Sequence, residues 1–179
     1  MSKNILVALT GMAILMAGAS AAHAADGTID ITGSISGNTC VINGGASAKD
    51  FTVALPPVAT SALAVAGSNA GRTPFQIALT NCAPDTGKVS AYFEAGPSVN
   101  TTSGRLVPDA GGATKVEVGV LNDTFGHIQL GAAYPTQNSQ IVDISGGAAN
   151  LNYYAQYESL GGATAGAVKT RVQYSLVYQ

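Results

Sequence analysis

The chain has no tryptophan, only two cysteines and two histidines, and charged residues make up just 10% of it. Each scarcity excludes something. Eight basic residues against ten acidic give a formal net charge of −2, the wrong sign for a nucleic-acid partner. A metal centre needs several His, Cys or carboxylate ligands close together. One histidine, His23, lies in a leader expected to be removed, which leaves His127 alone beside Gly126 and reads as a surface residue. No metal site and no cofactor is expected. No Gly-x-Ser-x-Gly nucleophile elbow occurs. Asp109, Glu117, Asp123 and Asp143 are scattered near turns and read as solvating and turn-forming groups, so no catalytic residue is assigned and no enzyme is expected. Helical periodicity is also missing.

The longest apolar run, Ile5 to Ala19, follows a start that carries Lys3 and precedes the small-x-small triplet Ala22-His23-Ala24. A charged start, an apolar middle and a cleavage triplet make a signal peptide. A membrane span needs about 20 apolar residues, and no basic stop follows the run. The expectation is therefore a leader over residues 1–24 cleaved after Ala24, with Ala19-Ser20-Ala21 as the second candidate site. Cleavage leaves 155 of the 179 residues, enough for one domain. With Lys3 gone, seven basic residues face ten acidic ones, for a net −3. A surface so poor in charge and so rich in Gly, Ala, Ser and Thr suits an exterior that ends against other protein, although an ordinary β-domain has the same look.

Cys40 and Cys82 are both in the exported part, where an even count reads as one disulfide; two buried free thiols are the alternative. Short runs rich in Val, Ile, Tyr, Phe and Thr alternate with Gly, Asn and Pro punctuation. Strands are expected at Gly27–Ser36, Thr39–Asn43, Phe51–Leu55, Phe75–Asn81, Lys88–Glu94 and Lys115–Leu121, and then at His127–Gln129, Gln140–Ile144, Leu151–Glu158 and Ala167–Tyr178. Turn signals such as Asn43-Gly44-Gly45 and Gly161-Gly162 separate them. The pattern indicates an all-β antiparallel sandwich or barrel. Pro57–Ala70 reads as a crossover with room for one helical turn.

The two ends of the mature chain carry the most information. Near its start, Ile29, Ile31 and Ile35 alternate with polar residues, with Gly33 at the intervening step, all ahead of Cys40. At its end, Val168, Thr170, Val172, Tyr174, Leu176 and Tyr178 alternate with mostly polar residues up to Gln179, the period-two signature of a half-buried strand. Termini are usually loose, so a patterned strand as the last element needs a reason.

These residues resemble the subunits of chaperone–usher pili, the type 1-like fimbrial pilins, over the whole chain. The run Ile29-x-Ile31-x-Gly33-x-Ile35 is similar to that family's N-terminal donor segment, and Cys40 follows it as the first pilin cysteine does. Thr73–Cys82, "TPFQIALTNC", is similar to the strand that delivers the second. "NYYAQYESLGGATAG" resembles the aromatic strand and Gly-rich turn. Gly166 and the penultimate Tyr178 stand where pilins place them.

The resemblance implies an incomplete immunoglobulin-like β-sandwich lacking its last strand, with a groove beside Val168–Tyr178. It implies a donor extension over residues 25–37 and a pilin domain over residues 38–179. The donor residues are then Ile29, Ile31, Gly33 and Ile35. Gly166, Val168, Val172, Tyr174, Leu176, Tyr178 and Gln179 form the acceptor groove and chaperone-recognition surface. The implied partners are identical or related pilus subunits, a periplasmic chaperone and an outer-membrane usher, and the implied destination is an extracellular fimbrium reached through the periplasm. The function implied is that of a structural shaft subunit polymerising head to tail by donor-strand exchange. A minor or adaptor subunit, and a self-complemented secreted sandwich that binds carbohydrate, are the alternatives.

Overall fold

The computed structural model describes residues 30–32, 37, 39–45 and 48–179. The expected leader, and Ile29, Gly33 and Ile35 of the expected donor run, lie outside the described residues. Of that run Asp30, Ile31 and Thr32 are described, and Ile31 is 91% exposed.

The described residues within 35–179 hold nine strands in two sheets: β1 (Thr39–Ile42), β2 (Asn69–Ala83), β3 (Gly87–Phe93), β4 (Val99–Asn100), β5 (Arg105–Leu106), β6 (Val116–Leu121), β7 (Ile141–Ile144), β8 (Ala149–Ser159) and β9 (Tyr174–Tyr178). One sheet runs β1-β2-β8-β6-β5-β4 and the other β7-β3-β9, with every pairing antiparallel. A single 3-10 turn, Thr60–Leu63, sits in the expected crossover and buries Leu63.

Period-two alternation explains the core. In β2, Ile77 and Leu79 point inward while Gln76 and Thr80 face out; in β8, Leu151, Tyr153 and Ala155 point inward. Tyr153, wholly buried, is the central anchor. Its ring stacks on Phe75 at 5.5 Å and meets Phe93 edge-on at 5.3 Å, and its hydroxyl lies 3.0 Å from Ser139 Oγ. Burial pushes its pKa up to about 12, partly offset by hydrogen bonds to Ser139 and to the Ala91 backbone. At the end of β3 a side chain takes over the ladder: the buried Gln137 amide accepts from Phe93 N at 2.9 Å and donates to Phe93 O at 2.6 Å, so neither backbone group is orphaned.

Cys40 and Cys82 form the expected disulfide, which ties the start of β1 to the end of β2. Closing that 42-residue separation removes denatured-state entropy worth about 4 kcal/mol in the chain-entropy picture.

Four expectations are corrected. His127–Gln129 is no strand and makes only an isolated bridge from His127 to Leu121. Glu117 is no solvating turn residue: it is 3% exposed, the second residue of β6. The outer face of its sheet is covered there, so the polar phase of the alternation does not meet water. Phe51–Leu55 alternates as a strand would but joins neither sheet. Of the expected Ala167–Tyr178 strand, only Tyr174–Tyr178 is paired as one.

Candidate functional site

β9 lies at the edge of its sheet, and the hydrogen-bond register fixes which way its backbone points. Lys88 and Gln179 exchange both bonds, at 3.0 and 2.9 Å, and Glu94 N donates to Gln173 O at 2.9 Å. In an antiparallel ladder hydrogen-bonded pairs alternate, so Ser175 and Val177, like Gln179, turn their backbone groups toward β3. Val172, Tyr174, Leu176 and Tyr178 therefore turn theirs to the open edge. The side chains of those same four residues, with Val168, pack half-buried against the core. One edge thus presents unpaired backbone and partly covered apolar side chains together.

A second unpaired run faces the same core. Phe51 to Val58 joins no helix or strand, yet Val53 and Leu55 are half-buried against the core while the intervening Ala54 and Pro56 are exposed. Among the described residues, none of its backbone groups makes a backbone hydrogen bond. The two runs meet where the Phe51 ring lies 6.5 Å from Tyr174 and 6.1 Å from Phe75. The Tyr174 hydroxyl donates to Lys49 O at 2.9 Å, and the Tyr178 hydroxyl bonds the Cys40 backbone. Desolvation raises the pKa of both tyrosines, with the Asp50 carboxylate adding to it at Tyr174 and the Cys40 bond opposing it at Tyr178. With Ile42 and Phe75 these groups outline a slot between the sheets that is apolar, half-covered and edged by backbone without partners among the described residues.

The residues singled out in sequence divide accordingly. Val168, Val172, Tyr174, Leu176 and Tyr178 share the slot. Gln179 is exposed and closes the ladder on Lys88. Gly166 has a different reason to be glycine: a Cβ there would stand 2.5 Å from Ala113 N, and one on Gly112 would stand 2.1 Å from Ala167 O. The two glycines let their backbones cross, which anchors the C-terminal run through the 2.9 Å bond from Ala113 N to Ala167 O. Val53 and Leu55 are the slot residues that sequence reasoning left without a role, although the alternation over Phe51–Leu55 marked them.

Sequence gave no hint of a buried polar cluster on the outer face of the larger sheet. Glu158 is 7% exposed and binds Arg105 Nε, receives Gln156 Nε2 at 2.9 Å and lies 3.3 Å from His127 Nε2. Gly119 leaves room for its carboxylate, since a Cβ there would fall 2.2 Å from Glu158 Oε1. Nearby, Glu117 accepts from Asn100 Nδ2 at 2.7 Å. His127, read as a lone surface residue, keeps its side chain 48% exposed but is paired. Among the described residues no group of three or more His, Cys, Asp or Glu is placed to hold a metal ion, and the cluster has the form of a structural ion-pair network.

Comparison with known proteins gives the family and the fold. The description of the type-1 fimbrial protein, A, family matches residues 55–179. The chain is 43% identical to the major fimbrial subunit SMF-1 of Stenotrophomonas maltophilia, over 92% of this chain and 99% of that one. It is 38% identical to the F17 fimbrial protein of Escherichia coli, over 91% and 93%. Among solved structures, the P pilus rod subunit PapA superposes with a TM-score of 0.60 at 22% identity, covering 78% of this chain and 99% of that one. A subunit from a chaperone–usher pilus studied for rod uncoiling superposes at 0.59 and 20%, covering 87% and 96%. These likenesses fix the immunoglobulin-like fold, and the curated relatives fix the role. The chain belongs to the type-1 fimbrial protein family, whose members are structural subunits of extracellular fimbriae and not enzymes.

Proposed function

We propose that the slot beside β9 is an acceptor groove, filled in the fimbria by residues 27–36 of another copy of the chain. In this reading residues 1–24 are a cleaved leader, residues 25–37 the donor extension and residues 38–179 the acceptor domain. The observation that carries it is the pair of runs without backbone partners among the described residues, Phe51–Val58 and the open edge of β9, over one half-covered apolar floor. An exposed edge of this kind invites uncontrolled pairing and needs a strand to cover it. Strand addition draws affinity from main-chain bonds and specificity from alternate side-chain pockets, and the family resemblance implies this mode.

The magnitudes are consistent with it. Ten extended residues reach roughly 34 Å at about 3.4 Å each, enough to run the length of either unpaired edge. Burying Ile29, Ile31 and Ile35 contributes on the order of 5–9 kcal/mol, and each ladder bond about 1 kcal/mol. Ordering ten residues costs about 1–2 kcal/mol apiece in backbone entropy. The isoleucines alone do not drive the insertion, so completion of the recipient's core supplies the rest. A donor at one end and an acceptor elsewhere make a head-to-tail contact, which propagates as an open filament.

Before assembly the groove needs a temporary occupant. A periplasmic chaperone lending a strand, with the carboxylate after Tyr178-Gln179 held in its cleft, and an outer-membrane usher that exchanges it for the next subunit, complete the reading. Ile31→Asp tests it. Burying that carboxylate unpaired costs several kcal/mol, so the variant is exported but assembles into fimbriae at least about a hundredfold less. Wild-type levels of fibre, counted by electron microscopy, would contradict the donor assignment.

A further inference from the structure

The outer face of the larger sheet carries a cleft that the polymerisation reading does not use. Cross-strand pairs Pro74–Tyr154 and Gln76–Asn152 form its floor, and Asp123 borders it from the turn after β6. Its volume of about 490 Å³ falls within the range of about 300–1,000 Å³ usual for small-ligand sites. Gln76 Nε2 donates to Asn152 Oδ1 at 2.7 Å, which ties the two amides together across the strands. The exposed Asp123 makes no ion pair among the described residues.

The turn beside this cleft is strained in a way that displays a ring. Phe125 has φ +63°, a left-handed conformation that bulky residues rarely adopt and that, where it is kept, points to function. Asn122 Oδ1 holds the turn by accepting from Thr124 N at 3.1 Å, Thr124 Oγ1 at 2.9 Å and Gly126 N at 2.8 Å. The Phe125 ring is 50% exposed, 4.8 Å from the Tyr154 ring, with the Arg72 guanidinium 4.7 Å from its centroid. Nothing in the core requires this ring.

We infer that the cleft is a carbohydrate-binding site on the flank of the subunit, taking one pyranoside ring with its C–H face against Tyr154 and Phe125 and its hydroxyls on Asp123, Gln76 and Asn152. Aromatic faces next to planar amide and carboxylate groups are the chemistry that recognises sugars. A second protein surface would have to bring its own donor to the Asp123 carboxylate to avoid burying it unpaired, whereas sugar hydroxyls supply one. The cleft opens on the opposite face of the sheet from the acceptor groove, with Phe75 reaching both.

Saturation-transfer NMR on purified fimbriae, with the methyl glycosides of glucose, galactose, mannose and N-acetylglucosamine as probes, tests this. Wild-type fimbriae transfer saturation to at least one of the four. Phe125→Gly relieves the positive φ, so the fibre still assembles, and the signal falls about tenfold with the loss of the ring contact. Asp123→Ala, on an exposed turn, lowers it likewise. No transfer to any probe overturns the inference, and so do variants that bind as wild type does. It is equally overturned if the variants lose fibre packing without any sugar signal in the wild type, a result that assigns the face to subunit contacts.

Discussion

Tyr153 shows how one side chain couples the fold to pH. Its ring joins the two sheets through Phe75 and Phe93, and its burial raises its pKa from 10 to about 12. Below pH 10 the phenol is neutral whether the chain is folded or not, so it adds no pH dependence there. Between about pH 10 and 12 the unfolded chain has released the proton that the folded one keeps, so stability falls as pH rises. Two pKa units correspond to roughly 2.7 kcal/mol. Tyr157, Tyr174 and Tyr178 are raised by the same desolvation and steepen the loss. Denaturant melts from pH 9 to 12 are expected to show this decline, and Tyr153→Phe to remove most of it. A stability independent of pH over that window would contradict the assignment. The Arg105–Glu158–His127 cluster teaches the converse lesson at the same scale. Glu158 closes an amphipathic-looking strand and offers no sign in sequence that its carboxylate is covered, because alternation predicts which face a residue takes and not what lies over that face.

At the scale of elements, the strands legible in sequence are those with both a period and a partner. β2, β3, β6 and β8 carry runs of Val, Ile, Phe, Tyr and Leu long enough to read. β4 and β5, two residues each, are too short to show a period. Phe51–Leu55 has the period without the partner, and Ala167–Tyr178 has it over twelve residues while only five pair as a strand. In both, periodicity reports one-sided burial correctly and is silent about backbone pairing. Those two mismatches fall on the two rims of the slot, where the fold has backbone to offer. Hydrogen exchange checks this directly. Alternate amides of Phe51–Leu55 and of Val172–Tyr178 are expected to exchange at least about a hundredfold more slowly in assembled fimbriae than in subunits released from them. Equal rates in the two states would mean that no strand is added there.

For the molecule as a whole, fold and role follow from one shortfall. Nine strands in two sheets enclose a core anchored by Tyr153, stapled by Cys40–Cys82 and open along β9. A closed sandwich with these residues would leave the half-covered Val168, Val172, Tyr174, Leu176 and Tyr178 without purpose, whereas a subunit completed by its neighbour uses each of them. The most direct measurement is where the donor run lies in a fibre. With a photo-crosslinking amino acid at Thr32, which alternates away from Ile31, irradiated fimbriae boiled in detergent are expected to give a ladder of covalent oligomers. Mass spectrometry should join that position to residues 51–58 or 168–178 of another copy. A crosslinked product that runs only as monomer, with the same peptides joined within one chain, would contradict the account.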